Sequence, residues 1–151
     1  MNPFEGMAGQ LEWVAANMAY NLDFIPDDKL NWKPAPSANS AIEIVNHNIG
    51  AITHLGAMVD GSTDKPEFAT ATDGASAKKL LVEAANAYAA KLRSLNPADA
   101  GKMIKTPFGP EWPLIRIASM AVVDTIHHHG QIAYIQTLLG DTESHFDTSL
   151  F

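Results

Sequence analysis

"LIRIASMAVVDTIHHHGQIAYIQTLLG", residues 114–140, repeats apolar residues at helical spacing for roughly seven turns and stops at a glycine. At about 100° per residue, Leu114, Ile117, Met120, Ala121, Ile132, Ile135, Leu138 and Leu139 share an arc of roughly 120°. Such a stripe predicts one long helix over 113–139, with Pro113 suited to its first turn and Gly140 to its end. Asp124, His128 and Gln131 fall inside the same arc, Asp124 and His128 close to its centre. His127 lies on the edge, and His129 falls outside it and reads as solvent-facing. The three adjacent histidines are therefore three separate features.

Three more segments carry the helical period. Residues 2–25 align Phe4, Met7, Leu11, Ala15, Met18, Leu22 and Ile25. Residues 40–59, with Ser40 or Ser37 as cap, align Ile42, Val45, Ile49, Ile52 and Leu55. Residues 75–95 align Leu81, Ala85, Tyr88, Leu92 and Leu95. Stretches rich in Pro, Gly, Asp and Ser separate them, and no segment reads as a strand. Four amphipathic helices imply an all-α four-helix bundle, expected as a single domain over 1–151. The connection at 60–74 is long enough to cross the bundle, which leaves the up-down order open. After Gly140 comes a polar tail, ending in Leu150-Phe151, that either folds back or stays loose and in which His145 reads as solvated.

Composition narrows the function classes. Of 151 residues, 46% are apolar and 18% charged, which favours a packed globule over disorder. A formal charge of −7 without any basic run argues against nucleic acid and anionic membrane surfaces as partners. Without cysteine there is no disulfide, thiolate nucleophile or Cys-based metal site. No apolar run nears about 18 residues. "MNPFEGMAG" lacks a basic region followed by an apolar one, so a cytoplasmic location is expected.

An aspartate and a histidine in an apolar stripe need an account, because burying an unpaired carboxylate costs several kcal/mol. Spacing i,i+4 puts Asp124 and His128 on one face, about 6 Å apart at Cβ, close enough to share a metal ion. They can equally hydrogen-bond each other as an internal pair. A third ligand has to come from elsewhere, and the helices at 2–25 and 75–95 contain no histidine. The helix at 40–59 offers His47 and His54 at the margin of its apolar arc, His47 nearer to it. His54 is the reserve ligand. Asn48 lies within the arc and suits a supporting hydrogen bond, as does Gln131, which can also orient a substrate. Trp13 and Tyr20, opposite the main stripe of the first helix, serve either a wide bundle face or a homodimer interface.

"WKPAPSANSAIEIVNHNIGAITHL", "TPFGPEWP" and "DTIHHHGQIAYIQTLLG" together resemble the DinB/YfiT-like superfamily, over almost the whole chain. That resemblance implies a four-helix bundle, often dimeric, binding a divalent metal such as Zn²⁺ or Ni²⁺ through three histidines. His47 and His128 match two ligand positions, and the third falls on Asp124, where the family usually carries histidine. Aspartate accepts Zn²⁺, Ni²⁺, Mn²⁺ or Fe²⁺, so a His-Asp-His site is expected. Some members look like small-thiol S-transferases or related hydrolase-like enzymes, which implies a low-molecular-weight thiol and a small electrophile as partners. The resemblance also supports a homodimer. A non-catalytic metal-binding or stress-related bundle is the alternative, as is a bundle that keeps Asp124 and His128 only as an internal pair.

Overall fold

Each of the first three helices begins where a side chain caps it. The structure, a computed structural model, describes residues 2–150; Met1 and Phe151, the ends of the expected domain, lie outside the described residues. Helix α1, Pro3–Leu22, is capped by Asn2, whose side chain accepts from the Phe4 N–H at 3.0 Å, with proline in the first turn. Helix α2, Ala41–Val59, settles the choice of cap on Ser40. Its hydroxyl accepts from the Glu43 N–H, and the Glu43 carboxylate accepts from the Ser40 N–H at 2.8 Å. Helix α3, Gly74–Ser94, is capped by Asp73, which accepts from the Ser76 N–H at 2.7 Å. Helix α4, Leu114–Leu138, has no side-chain cap and ends before Gly140, whose φ of 101° is left-handed and suits glycine.

One expectation fails here. Two short strands, β1 at Met103–Lys105 and β2 at Glu111–Pro113, pair antiparallel with Ile104 opposite Trp112. Three residues are too few for alternation to stand out, and the better signal was the turn chemistry of 106–110. There Thr106 Oγ1 donates to the Pro110 carbonyl at 2.7 Å, and Gly109 takes a φ of 101°. The hairpin delivers the chain to α4 and puts Trp112 and Phe108 side by side, ring centroids 5.7 Å apart.

Helices α1 and α2 each pack on α3 and α4, so α1 lies diagonal to α2 and α3 diagonal to α4. Side-chain pairs fix the directions. Lys78 near the start of α3 pairs with Asp23 just past α1, and Arg93 near its end pairs with Glu5 and Glu12, so the two run antiparallel. Lys91 pairs with Asp60 at the end of α2, so α2 and α3 run parallel. The connection 60–73 must then return along α2, which answers the question of order. It does so under a staple: the Asn46 side chain donates to the Ala71 carbonyl at 3.0 Å and accepts from the Ala71 N–H at 2.7 Å. Farther along, the Phe68 ring closes over Gly50 so tightly that a Cβ there would sit 2.6 Å from it.

Of its two expected courses the tail takes the folded-back one, and its histidine departs from expectation. Residues 141–149 fold back over α1 and α4 through side chains that satisfy backbone groups. Asn17, fully buried, accepts from the Asp147 N–H at 2.9 Å. Gln136 accepts from Asn21 at 2.8 Å and donates to the Glu143 carbonyl at 3.1 Å. Phe146 packs edge-on against Trp13, with centroids 5.0 Å apart, so this part of the face available to a second copy is covered by the chain itself. His129 and His145 are not solvated. His129 is half-buried against Asn21, 2.6 Å from its Oδ1, and burial pushes its imidazole pKa down. His145 stacks on Phe24 and lies 2.8 Å from Asp141. A helix touching two neighbours and a tail has no solvent face at His129, which one apolar arc cannot reveal. Leu138, placed in that arc, is 43% exposed, while Gln136 is buried in the network.

Candidate metal centre

The site lies where α2 crosses α4. Apolar contacts set the depth of the two helices: Val45, Ile49 and Ile52 of α2 and Ala121, Val122 and Ile132 of α4 are buried. Burial of each large side chain contributes roughly 1.5–3 kcal/mol, so the register between the helices is strongly held. That register puts His47 and Asn48 opposite Asp124, Thr125 and His128. One donor atom each from His47, Asp124 and His128 lies within 4.8 Å of the others. The His47 and His128 rings meet edge-on at 5.0 Å between centroids.

His128 is the buried member, Asp124 is half-buried, and His47 is exposed. Nδ1 of His128 lies 2.7 Å from the Gln131 side-chain oxygen. With that carbonyl accepting from Nδ1–H, Nε2 keeps its lone pair and points to the cluster. Nε2 is 3.5 Å from Asp124 Oδ1, long for a hydrogen bond, and this buried atom has no hydrogen-bond partner among the described residues. Asp124 is held from behind, because Asn48 Nδ2 donates to its Oδ2 at 2.9 Å and lies 3.2 Å from Thr125 Oγ1. One carboxylate oxygen is thus committed to the bundle and the other is left facing the histidines.

The electrostatics follow. Burial on its own would raise the Asp124 carboxyl pKa. His128, Asn48 and the charge His47 carries when protonated outweigh it and hold the carboxyl below its ordinary value. The Asp124 carboxylate, helped by Gln131 and opposed by burial, holds the His128 imidazole above its ordinary value. A cation at the cluster would compete with that proton for Nε2.

Do these residues fit a metal ion? Donors about 2.1 Å from a tetrahedral ion are about 3.4 Å apart, close to the 3.5 Å between Asp124 Oδ1 and His128 Nε2. The donor set is two imidazoles and one carboxylate, the His128 tautomer leaves Nε2 free, and both α4 donors are oriented by neighbouring amides. The three residues fit, and the cluster can hold a metal ion.

All five residues singled out from the sequence are brought together: His47, Asp124 and His128 as the cluster, Asn48 and Gln131 behind it. His54 stays at the margin, half-buried, one turn and more from the cluster. Beside the cluster is a cavity of about 610 Å³ between α2, α4 and the hairpin, lined by His54, Leu55, Met58, Arg116, Met120 and Asp124 among others. On the other side of α2, a second of about 450 Å³ is lined by His47, Gly50, His54 and Phe68. Arg116, Phe108 and Phe68 were missed in the sequence, since the last two sit in loops and Arg116 lies off the apolar stripe.

The DinB superfamily profile matches residues 10–132. A DinB-like protein of Bacillus subtilis, solved by crystallography, superposes with a TM-score of 0.76 at 22% identity, over 91% of this chain and 94% of its own. A DinB-like protein of Bacillus cereus superposes with a TM-score of 0.75 at 16% identity, over 90% of this chain and 92% of its own. No curated protein matches. Among the described residues no helix is long and apolar enough to cross a membrane. The match over most of the length, joined to the bundle and the α2–α4 cluster, means that this chain belongs to the DinB superfamily.

Proposed function

We propose that the protein is a divalent-metal-dependent enzyme of the small-thiol S-transferase or hydrolase-like type, with His47, Asp124 and His128 as ligands. One observation carries this reading: a buried, unpartnered imidazole nitrogen 3.5 Å from a half-buried carboxylate oxygen, with a second histidine in the same cluster. A purely internal Asp–His pair would close that gap with a hydrogen bond. When bound, a divalent ion supplies Lewis acidity, lowering the pKa of a water or thiol held in a position the three residues leave open. Asn48 and Gln131 orient Asp124 and His128, and the apolar walls beside Asp124 offer a surface for the body of a second substrate. That cavity favours an enzyme over a metal-binding module without turnover. Zn²⁺ and Ni²⁺ suit two imidazoles best, while the carboxylate also admits Mn²⁺ or Fe²⁺.

Metal-stripped protein should take up one ion per chain from Zn²⁺, Ni²⁺, Mn²⁺ or Fe²⁺ in calorimetric titrations. At an ion concentration 100 times Kd the fold should gain about 2.7 kcal/mol, or roughly 5–10 °C in Tm. Asp124→Ala and His128→Ala should lose both effects, and Asn48→Ala should weaken binding about 10–100-fold. Parent-like metal affinity in the first two variants would sink the assignment.

A further inference from the structure

We propose that the cavity beside the cluster binds an amphipathic carboxylate, an apolar body with its anionic head on Arg116. At about 610 Å³ it falls in the size range of small-molecule sites. Its walls are mainly apolar, from Leu55, Met58 and Met120, with Phe108 and Val123 at the rim. Those two rim residues are 60% and 65% exposed, an unfavourable exposure that a bound apolar group would relieve.

The head group is set by charge. Arg116 also lines this cavity, its guanidinium 4.2 Å from the centre of the Trp112 ring. Its place over the indole ring holds the guanidinium by a cation–π contact, which does not use its N–H donors. Arg93, the other arginine, is paired with two carboxylates, whereas Arg116 has no carboxylate partner among the described residues. In a chain of net charge −7, an unpaired arginine at an apolar cavity is the group that would admit an anion there.

The two ends of the cavity also set orientation. Arg116 and Asp124 both line it and are eight residues apart on α4, about 12 Å along the helix axis. The Asp124 carboxylate repels an anion and Arg116 attracts it, so the head lies at the hairpin end and the tail runs toward the cluster. A substrate held this way presents the end remote from its carboxylate to His47, Asp124 and His128. That last step rests on the metal-centre reading; binding itself does not.

The test therefore uses metal-free protein and simple probes, with calorimetric titrations of octanoate, octan-1-ol and octylammonium. Octanoate should bind at least tenfold more tightly than octan-1-ol, and octylammonium more weakly than either. Arg116→Gln should reduce octanoate affinity at least tenfold while leaving octan-1-ol unchanged. Ala51→Phe, which puts a ring into the cavity from a half-buried position on α2, should abolish binding of both, with circular dichroism confirming the fold. Equal binding of octanoate and octan-1-ol, or octanoate affinity indifferent to Arg116→Gln, would overturn the proposal. Failure of the metal titrations alone would leave these results standing, and the reverse also holds.

Discussion

Tyr88 offers a stability test in which the sign of an effect reverses with pH. Its ring is buried between α3 and α4, 2% exposed, and its hydroxyl lies 3.3 Å from the carbonyl oxygens of both Ile117 and Ala118. Those carbonyls also accept within α4, so Tyr88→Phe orphans neither, and its cost at pH 7 should be small, about 0.5–1 kcal/mol. Burial pushes the Tyr88 phenol well above its ordinary value of 10.0. A raised folded pKa means the contribution is complete below the unfolded pKa of about 10 and is lost as pH rises toward the folded value. At pH 11 the unfolded phenol is mostly ionised and the folded one is not, which costs the parent RT ln(1 + 10), about 1.4 kcal/mol. Tyr88→Phe escapes that loss. Exposed Tyr20 and Tyr134 and all lysines are common to both proteins and cancel. Urea unfolding followed by circular dichroism should therefore find the parent more stable at pH 7 and the variant more stable at pH 11. The same margin at both pH values would refute the reasoning.

Gly50→Ala should gain about 1 kcal/mol in helix propensity but evict the Phe68 ring, so amide exchange in residues 60–73 should quicken with little change in Tm. An unchanged exchange rate there would show that the ring does not pin the loop. Asn17→Leu strips the Asp147 backbone of its buried partner and should cost about 1–3 kcal/mol, with faster exchange in residues 141–149 and altered Trp13 fluorescence. Full protection of the tail in this variant would contradict the packing described. Glu12 has its carboxyl pKa lowered chiefly by its hydrogen bonds from Arg93. Its stabilising effect is present above the unfolded pKa of about 4.3 and lost as pH falls through the folded value. Glu12→Gln should therefore be slightly less stable than the parent at pH 7 and lose that difference in acid, flattening the acid limb when urea unfolding is followed against pH.

The bundle was legible because its cues are local and repeated. Ser40 three residues before Glu43, an apolar residue every third or fourth position, and Gly140 at a helix end each act within a few residues. The cluster was legible for a related reason: polar groups inside an apolar stripe on α2 and α4 have to meet someone. What stayed hidden depends on contacts distant in sequence. His129 is half-buried against Asn21, 108 residues away, and Asn17 is satisfied by Asp147, 130 residues away, neither visible in any helical period. The return of 60–73 along α2 rests on the Asn46–Ala71 staple, which looks from the sequence like an ordinary polar residue and a loop alanine.

The aspartate at 124 is the residue where sequence and structure inform each other most. A histidine there would present one donor nitrogen and need a partner for the other. An aspartate presents two oxygens, and the bundle commits Oδ2 to Asn48, leaving Oδ1 toward His128 Nε2. The same interaction helps keep the carboxylate ionised despite its burial. Against a divalent ion the carboxylate would cancel one positive charge, which three neutral imidazoles would not, so the proposed centre would be harder and less positive. On the proposed function, such a centre would acidify a bound thiol or water less, and more of the activation would fall to positioning of the second substrate. The neighbouring cavity, mainly apolar and carrying an arginine with no carboxylate partner among the described residues, is where the proposed function would place that positioning.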